Sequence, residues 1–248
     1  MQATSVSLVI PFYNEAALLQ DTVERCLALQ GRFDCPLELI FVDDGSRDRG
    51  PEIARRFAGR LRLVSYPDNR GKGHAVRRGV LASAGELVLI TDADLAYGTE
   101  ALLQAARHLE AAGADLLCGS RRLGGDGYSD YPPLRRLASR VFARYVQGLL
   151  HIPVGDSQCG LKALRGEAAR ALFRDCVVNG FAYDLELLGL AQRRGYRLCE
   201  MPVAVQRHGA SSVSLLRDSL RMAAEVLRIR ARLRAMGDET PGIRGEEL

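Results

Sequence analysis

The chain has 248 residues, of which 47% are hydrophobic and 26% charged, and its formal net charge is +4. This composition is that of a folded globular protein and excludes a disordered chain or a fibre. The length suits one large α/β domain, which provides enough core for an enzyme. No apolar run approaches the roughly 20 residues of a membrane span, and no basic leader precedes the first apolar run, so we expect a cytoplasmic protein.

The first half of the chain alternates short apolar runs with helical stretches, which is typical of a mostly parallel sheet covered by helices. The pattern predicts strands at residues 5–10, 37–42, 61–65, 87–91 and 114–119. It predicts helices at residues 15–30, 47–58, 73–83 and 99–112. Polar side chains follow each strand. Because ligands of open α/β sheets bind beyond the carboxyl ends of the strands, these side chains should line one acidic pocket.

The second half is less regular. A loop rich in Gly, Tyr and Pro at 124–133 precedes a predicted helix at 134–150. Further helices at 166–175 and 183–194, a strand at 197–203 and a long helix at 213–235 follow. Residues 237–248 are polar and predict a disordered tail.

Nearly all of the basic residues in this sequence are arginines, because lysine occurs only at Lys72 and Lys162. Such a bias reflects general composition, so the positive charge does not indicate a nucleic-acid partner, and we expect none. The six cysteines include no Cys-x-x-Cys pair and are interpreted as reduced thiols.

Asp92-Ala93-Asp94 follows the apolar run 87–90 and is the sharpest chemical feature. Two carboxylates this close at a strand end can share one hard divalent cation and leave positions for phosphate oxygens and water. A solvated surface turn explains the same spacing, so the pattern alone leaves both interpretations open.

Asp43-Asp44 closes another apolar run. One of these residues can cap the following helix, whereas the other carboxylate can accept a hydrogen bond from a nucleobase N–H or a ribose hydroxyl.

The glycine-rich segment at 69–73 is not a P-loop, because Gly73 stands where Ser or Thr is required. Lys72 within it still suggests contact with an anion.

Residues 156–160 combine an acid, an amide and a thiol. Asp156 and Gln158 are interpreted as functional, and Cys159 as a small core residue. Asp184 and Glu186 are two residues apart on a predicted helix, where such neighbours do not share a face. Only one of them should point into the pocket.

Six motifs, read in this order, resemble glycosyltransferase family 2, and within it the dolichyl- or polyprenyl-phosphate sugar synthases, over roughly residues 5–215. The motifs are Pro11-Phe12-Tyr13-Asn14-Glu15, Val42-Asp43-Asp44-Gly45-Ser46, Asn69-Arg70-Gly71-Lys72-Gly73, Asp92-Ala93-Asp94, Gly119-Ser120-Arg121 and Asp156-Ser157-Gln158-Cys159-Gly160. The family's GT-A fold is a Rossmann-like α/β domain that binds a nucleotide-sugar. The resemblance implies one such domain at residues 1–212.

The resemblance also implies roles for individual residues. The nucleoside of the donor would contact Pro11, Tyr13, Glu15, Val42 and Asp44. Asp92 and Asp94 would bind Mg²⁺ or Mn²⁺ and, with Ala93, the donor diphosphate. Lys72, Arg121 and Arg207 would contact phosphate, and Asp156 with Gln158 would act with Asp94 at the acceptor.

Two positions depart from the family pattern. Ala96 stands where some members have a glutamine that completes the metal site, and Ser211-Ser212-Val213 stands where a basic residue often occurs. These differences concern the metal shell and the loop that closes over the donor.

The expected reaction is an inverting, metal-dependent transfer of glucose or mannose from a UDP- or GDP-sugar to a polyprenyl or dolichyl phosphate. The phosphate acceptor has a second pKa of about 6, so it is already ionised at neutral pH and needs no strong base. A hydroxyl acceptor would need a base, for which Asp156 is the best candidate. The alternatives are this hydroxyl acceptor on the same fold, or a nucleotidyltransferase.

The helix predicted at 213–236 has an apolar stripe and many arginines. The stripe comprises Leu216, Leu220, Ala223, Ala224, Leu227 and Ala231. Such a helix either packs on its own domain or lies at the cytoplasmic face of a membrane, where it would bring the enzyme to its lipid acceptor as a peripheral protein.

Overall fold

The computed structural model describes residues 3–125, 133–206 and 215–236, of which 133–140 and 215–221 are described by their backbone. Its strands are β1 (Val6–Phe12), β2 (Leu37–Asp43), β3 (Arg62–Ser65), β4 (Leu87–Ile90), β5 (Leu116–Ser120), β6 (Lys162–Arg165) and β7 (Leu198–Pro202). Arg207, the predicted tail at 237–248 and most of the loop at 124–133 lie outside the described residues.

The helices alternate with these strands and agree with the predicted positions to within a few residues. They are α1 (Ala16–Leu27), α2 (Gly50–Arg55), α3 (Lys72–Ala82), α4 (Gly98–Ala111), α5 (Pro133–Leu150), α6 (Gly166–Asp175), α7 (Tyr183–Arg193) and α8 (Leu215–Ala235). None of the described helices is both long enough and apolar enough to cross a bilayer.

The strands form one sheet in the order β3-β2-β1-β4-β6-β5-β7. β1 pairs in parallel with β2 and with β4, so the carboxyl ends of these three strands meet at one edge of the sheet. Every residue of β1 is buried, because helices cover both faces of the sheet. The polar residues that follow these strands therefore lie at the same edge of the sheet, as the sequence predicts.

β6 is absent from the sequence-based prediction. It runs antiparallel to both β4 and β5 and lies between them, near the centre of the sheet. Its four residues, Lys-Ala-Leu-Arg, show neither strict alternation nor a β-branched run, so local sequence gives little strand signal. Pairing with two neighbours, rather than local preference, makes this segment a strand.

The core lies in two layers, one on each face of the sheet. Alternation along β1 places Leu8 and Ile10 in the layer covered by α1 and α4, and Val9 in the layer covered by α3, α6 and α7. Residues of α5 and α8 also belong to the second layer.

α8 packs on α5 and α7 through Val226 and Ile229, which are 0% and 2% exposed. The predicted apolar stripe is therefore not the face that packs in the described part of the helix. Leu227, a member of that stripe, is 52% exposed, and Ala224 and Ala231 are exposed as well. The helix thus has a second apolar stripe that accounts for its packing, and Ala224, Leu227 and Ala231 of the predicted stripe face outward.

Candidate active site

Asp92 and Asp94 lie in the turn that follows β4. The Asp92 carboxylate is 2.6 Å from the Lys72 ammonium at the start of α3. Asp94 accepts a hydrogen bond from the backbone N–H of Ala96 at 3.0 Å. Ala93 between them is buried, and its carbonyl accepts from the Thr22 hydroxyl at 2.6 Å. The turn is thus fixed to the protein at its centre, and both carboxylates remain partly exposed.

The two aspartates experience opposite electrostatic environments. Burial, the largest single influence, raises the pKa of Asp92, but the charge and hydrogen bond of Lys72, together with the charges of Lys162 and Arg121, hold that pKa below its usual value. Burial and then the charge of Asp92 raise the pKa of Asp94. Burial and then the charge of Asp94 likewise raise the pKa of Glu15. The carboxylates therefore repel one another despite the nearby Lys72, and a divalent cation would relieve that repulsion.

The donor set fits a hard divalent ion that also binds the substrate. In the described ranges no three acidic, His or Cys side chains converge as a complete metal cage. Mg²⁺ commonly uses one or two protein carboxylates and completes its shell with water and substrate phosphates. Asp92 and Asp94 supply two such carboxylates, so they suit a metal that binds together with a diphosphate.

Asp44 is the anchor of the lysine loop, residues 69–72. Its two oxygens accept four hydrogen bonds of 2.7–2.9 Å, from the Tyr66 hydroxyl, the Asn69 amide and the backbone N–H groups of Arg70 and Gly71. A carboxylate has about four acceptor positions, so all of them are in use. A nucleobase contact to Asp44 would have to displace one of these donors.

A cleft of about 420 Å³ opens beside this loop, at the carboxyl ends of β2 and β3. Asp43 lines it and is held by the Ser46 N–H at 2.8 Å and the Ser65 hydroxyl at 2.7 Å. Tyr13, at the carboxyl end of the neighbouring β1, is 41% exposed. The cleft is polar and large enough to admit part of a nucleoside.

Two residues expected at the nucleoside do not present their side chains to it. Val42 is completely buried and packs against Gly79 of α3. Pro11 lies within β1 and is also buried. Their side chains therefore support the floor of the site, and their place at the nucleoside stays a prediction.

Asp156 holds Arg121 in a bidentate ion pair. The Nε and Nη2 atoms of Arg121 donate to the two Asp156 oxygens at 2.7 and 2.8 Å, and the Arg121 backbone N–H adds a third bond at 3.0 Å. Asp156 is only 4% exposed. This carboxylate is therefore engaged as an anchor, and the geometry does not favour its role as a general base.

The loop that carries Asp156 also contacts the metal-binding turn and α8. Gly160 lies so close to the Asp92 carboxylate that a Cβ atom at that position would collide with it. The Gln158 amide lies 4.0 Å from the sulfur of Met222 in α8. Asp156 and Gln158 therefore belong to the wall next to the two aspartates, on the side of α8.

Lys162 is a functional candidate that the sequence analysis did not identify. It is completely buried in β6, and its ammonium lies 2.6 Å from Asp184 of α7. It also donates to the carbonyl of Cys159 at 2.7 Å. Its charge helps to lower the pKa of Asp92. Both lysines of the chain thus converge on the acidic turn, and their rarity among 34 basic residues was the signal available in the sequence.

Of the two acids at the start of α7, Asp184 points toward the site, whereas Glu186 binds elsewhere. Both are buried, at 4% and 1% exposure. The expectation that only one of them reaches the pocket agrees with this arrangement.

Comparison with known proteins connects this site to an enzyme family. Residues 7–173 match the model of Glycosyl transferase family 2. Glycosyltransferase AglD of Haloferax volcanii is 35% identical over 228 residues, which cover 90% of this chain and 36% of that protein. Dolichyl-phosphate beta-glucosyltransferases of Dictyostelium discoideum and Mus musculus are 30% and 31% identical, covering 92% of this chain and 74% and 75% of theirs.

Solved structures share the fold. Glucosyl-3-phosphoglycerate synthase of M. tuberculosis superimposes with a TM-score of 0.66 at 21% identity, covering 96% of this chain and 82% of that one. Mannosyltransferase PcManGT of Pyrobaculum calidifontis, solved with GDP-Man and Mn²⁺, gives 0.56 at 21% identity, covering 95% and 75%. At this identity the likeness establishes the GT-A fold. The family match and the sequence relatives go further: the chain belongs to glycosyl transferase family 2 and is a glycosyltransferase.

Proposed function

We propose that this enzyme transfers a hexose, glucose or mannose, from a UDP- or GDP-sugar to a polyprenyl or dolichyl phosphate with inversion at the anomeric carbon. The observation that carries the proposal is the acidic turn after β4, with Lys72 2.6 Å from Asp92, at the edge of the sheet where the carboxyl ends of β1, β2 and β4 meet. The sequence relatives named dolichyl-phosphate beta-glucosyltransferase support glucose and a lipid phosphate.

The donor would lie along the carboxyl edge of the sheet. Its nucleoside would lie near Tyr13 and Glu15, over the ends of β1 and β2 that hold Pro11 and Val42, and would reach toward the polar cleft at the ends of β2 and β3. Lys72 and Arg121, with Arg207 from outside the described residues, would contact phosphate groups. Asp92 and Asp94 would hold one Mg²⁺ or Mn²⁺ ion, which would stabilise the charge on the leaving diphosphate.

A lipid phosphate fits this site better than a hydroxyl acceptor does. One oxygen of the ionised acceptor phosphate would attack the anomeric carbon as the bond to the donor diphosphate breaks on the opposite side. That nucleophile carries no proton that must be removed at neutral pH. Asp156, the best candidate base, already accepts three hydrogen bonds from Arg121, so its arrangement supports a positioning role.

A direct product assay tests the proposal. Purified enzyme, radiolabelled UDP-glucose and Mn²⁺ are incubated with dolichyl phosphate in detergent or, separately, with 3-phosphoglycerate. We expect one UDP released per sugar transferred, and a lipid product from which mild acid liberates glucose. GDP-mannose in the same assay determines the donor. Transfer to 3-phosphoglycerate alone would replace the lipid phosphate by a hydroxyl acceptor.

The outward face of α8 supports a peripheral position at the cytoplasmic face of a membrane. Leu227 is 52% exposed, and Arg228 and Arg234 of the same helix are exposed as well. Arg232 does not join them, since it is paired with Glu186 of α7. Each basic residue near an anionic leaflet contributes about 1 kcal/mol, so a few such residues give reversible, salt-sensitive binding.

Co-sedimentation with vesicles containing anionic lipid measures this binding. We expect the bound fraction to fall steeply as salt rises and to fall at low salt in the double variant Arg228→Gln and Arg234→Gln. The matched control changes two exposed arginines elsewhere, Arg56→Gln directly after α2 and Arg107→Gln in α4. Equal loss in both double variants would indicate net charge rather than this helix face, and binding indifferent to both would contradict the proposal.

A further inference from the structure

The backbone segment between α6 and α7, residues 176–181, is held by an ion pair from α8. The backbone N–H groups of Val177 and Val178 both donate to one oxygen of Glu186, each at 2.8 Å. The other Glu186 oxygen pairs with Arg232 of α8. Arg232 also donates to the Asp175 carbonyl at 2.6 Å. We call this arrangement the α8 clamp.

The opposite side of the same segment contacts the lysine loop and the start of α3. The backbone N–H of His74 donates to the Asn179 carbonyl at 3.2 Å. A Cβ atom on Gly71 would lie 2.5 Å from that carbonyl oxygen, and one on Gly73 would collide with the Val178 carbonyl. The two backbones are therefore in direct contact on either side of Lys72, which faces Asp92.

We infer that Glu186 and Arg232 are positioning residues for the donor: through segment 176–181, α8 sets the position of Lys72 at the acidic turn. Arg232 contacts Glu186, and Glu186 binds the backbone of residues 177–178. The same segment contacts the start of α3 through the hydrogen bond between Asn179 and His74. The inference rests on the proposed role of Lys72 at the donor diphosphate. It gives α8, which carries none of the six sequence motifs, an effect on donor binding.

The physical argument lies in the burial of Glu186. This carboxylate is 1% exposed and has one oxygen for the segment and one for Arg232. Without Arg232 its charge would be buried without its ionic partner, which is strongly unfavourable. Glu186 would then shift toward water or take up a proton, and the two N–H bonds that hold the segment would weaken. The wall behind Lys72 would loosen although Lys72 itself is unchanged.

Binding of UDP with Mn²⁺, measured by titration calorimetry on the full chain, tests the consequence. Supporting groups one step removed from a ligand site typically change affinity 10–100-fold. We expect Arg232→Gln to weaken UDP binding about tenfold, and Arg232→Lys to recover part of the loss because it restores the charge but not the two-pronged contact. Arg174→Gln, which removes an equal charge from an exposed site next to Asp175, should leave binding unchanged.

Amide hydrogen exchange provides a readout that needs no nucleotide. In Arg232→Gln we expect about tenfold faster exchange at Val177, Val178 and His74, with α1 and α4 unaffected. Faster exchange at Val177 and Val178 with unchanged exchange at His74 would overturn the inference, since the clamp would then hold the segment without positioning α3. If the unaltered protein binds neither UDP nor GDP, the proposed donor fails, and the exchange at His74 still decides whether the clamp reaches the lysine loop.

Discussion

Replacement of Asp94 by asparagine is expected to lower sugar transfer by about 100-fold or more while leaving the metal-free protein at least as stable as the unaltered one. The loss follows because an amide keeps the shape but not the charge that holds a hard cation, whose Lewis-acid effect provides several kcal/mol. The stability follows from the raised pKa of Asp94, which burial and the charge of Asp92 produce.

The raised pKa of Asp94 determines the sign of the stability effect. A carboxyl group whose pKa is raised on folding favours the folded state below its unfolded pKa, and this contribution is lost as the pH rises through its folded pKa. At neutral pH the Asp94 charge is therefore a cost that asparagine removes. Thermal unfolding with and without Mn²⁺ checks both effects. Mn²⁺ should raise the melting temperature of the unaltered protein and of the control variant Asp34→Asn, which changes an exposed residue. It should not raise the melting temperature of Asp94→Asn. Near-normal, Mn²⁺-stimulated transfer by Asp94→Asn would show that the metal site is elsewhere.

The alternating pattern predicted the sheet and the edge where its polar strand ends meet because β1, β2, β4 and β5 are short, largely buried runs followed by polar residues. Parallel strands buried on both faces produce such runs, as β1 does. The acidic turn after β4 was predictable for the same reason, since a strand of four buried apolar residues leads directly into it. Local sequence was sufficient wherever burial and chain direction fixed the side chain's position.

Long-range pairing determined what local sequence did not predict. Asp44 was expected at the nucleobase, yet its acceptor positions are taken by residues 22 to 27 positions later in the chain. α8 has two apolar stripes, and only its contact with α5 and α7 selects the stripe of Val226 and Ile229 for burial. β6 carries a charged residue at its first position, which argues against a central strand until its partner on α7 is known.

That partner makes Asp184→Asn the substitution with the largest expected effect on stability. Lys162 is 0% exposed and the Asp184 side chain 6%, with their charged atoms 2.6 Å apart. Burial, the largest single influence, opposes the charged form of Lys162, but Asp184 together with the neighbouring Cys118 and Cys159 raises the pKa of the lysine. Removal of one member of a buried ion pair typically costs about 3–5 kcal/mol, because the other charge stays buried without its partner. We expect a loss of that size in the free energy of unfolding, measured by urea denaturation.

Two comparisons separate this effect from a general sensitivity to charge. Glu100→Gln breaks the exposed pair with Arg32, whose charged atoms are a similar 2.8 Å apart, and should change stability by less than about 1 kcal/mol. The double variant Lys162→Met and Asp184→Leu removes both buried charges and should recover most of the stability, since apolar pairs of similar volume often replace buried ion pairs without loss. It should not recover transfer, because Lys162 also binds the Cys159 carbonyl and its charge helps keep Asp92 ionised. If the double variant regains both stability and transfer, the ion pair contributes only to packing. If it regains stability without transfer, Lys162 also keeps Asp92 ionised and positioned for the donor.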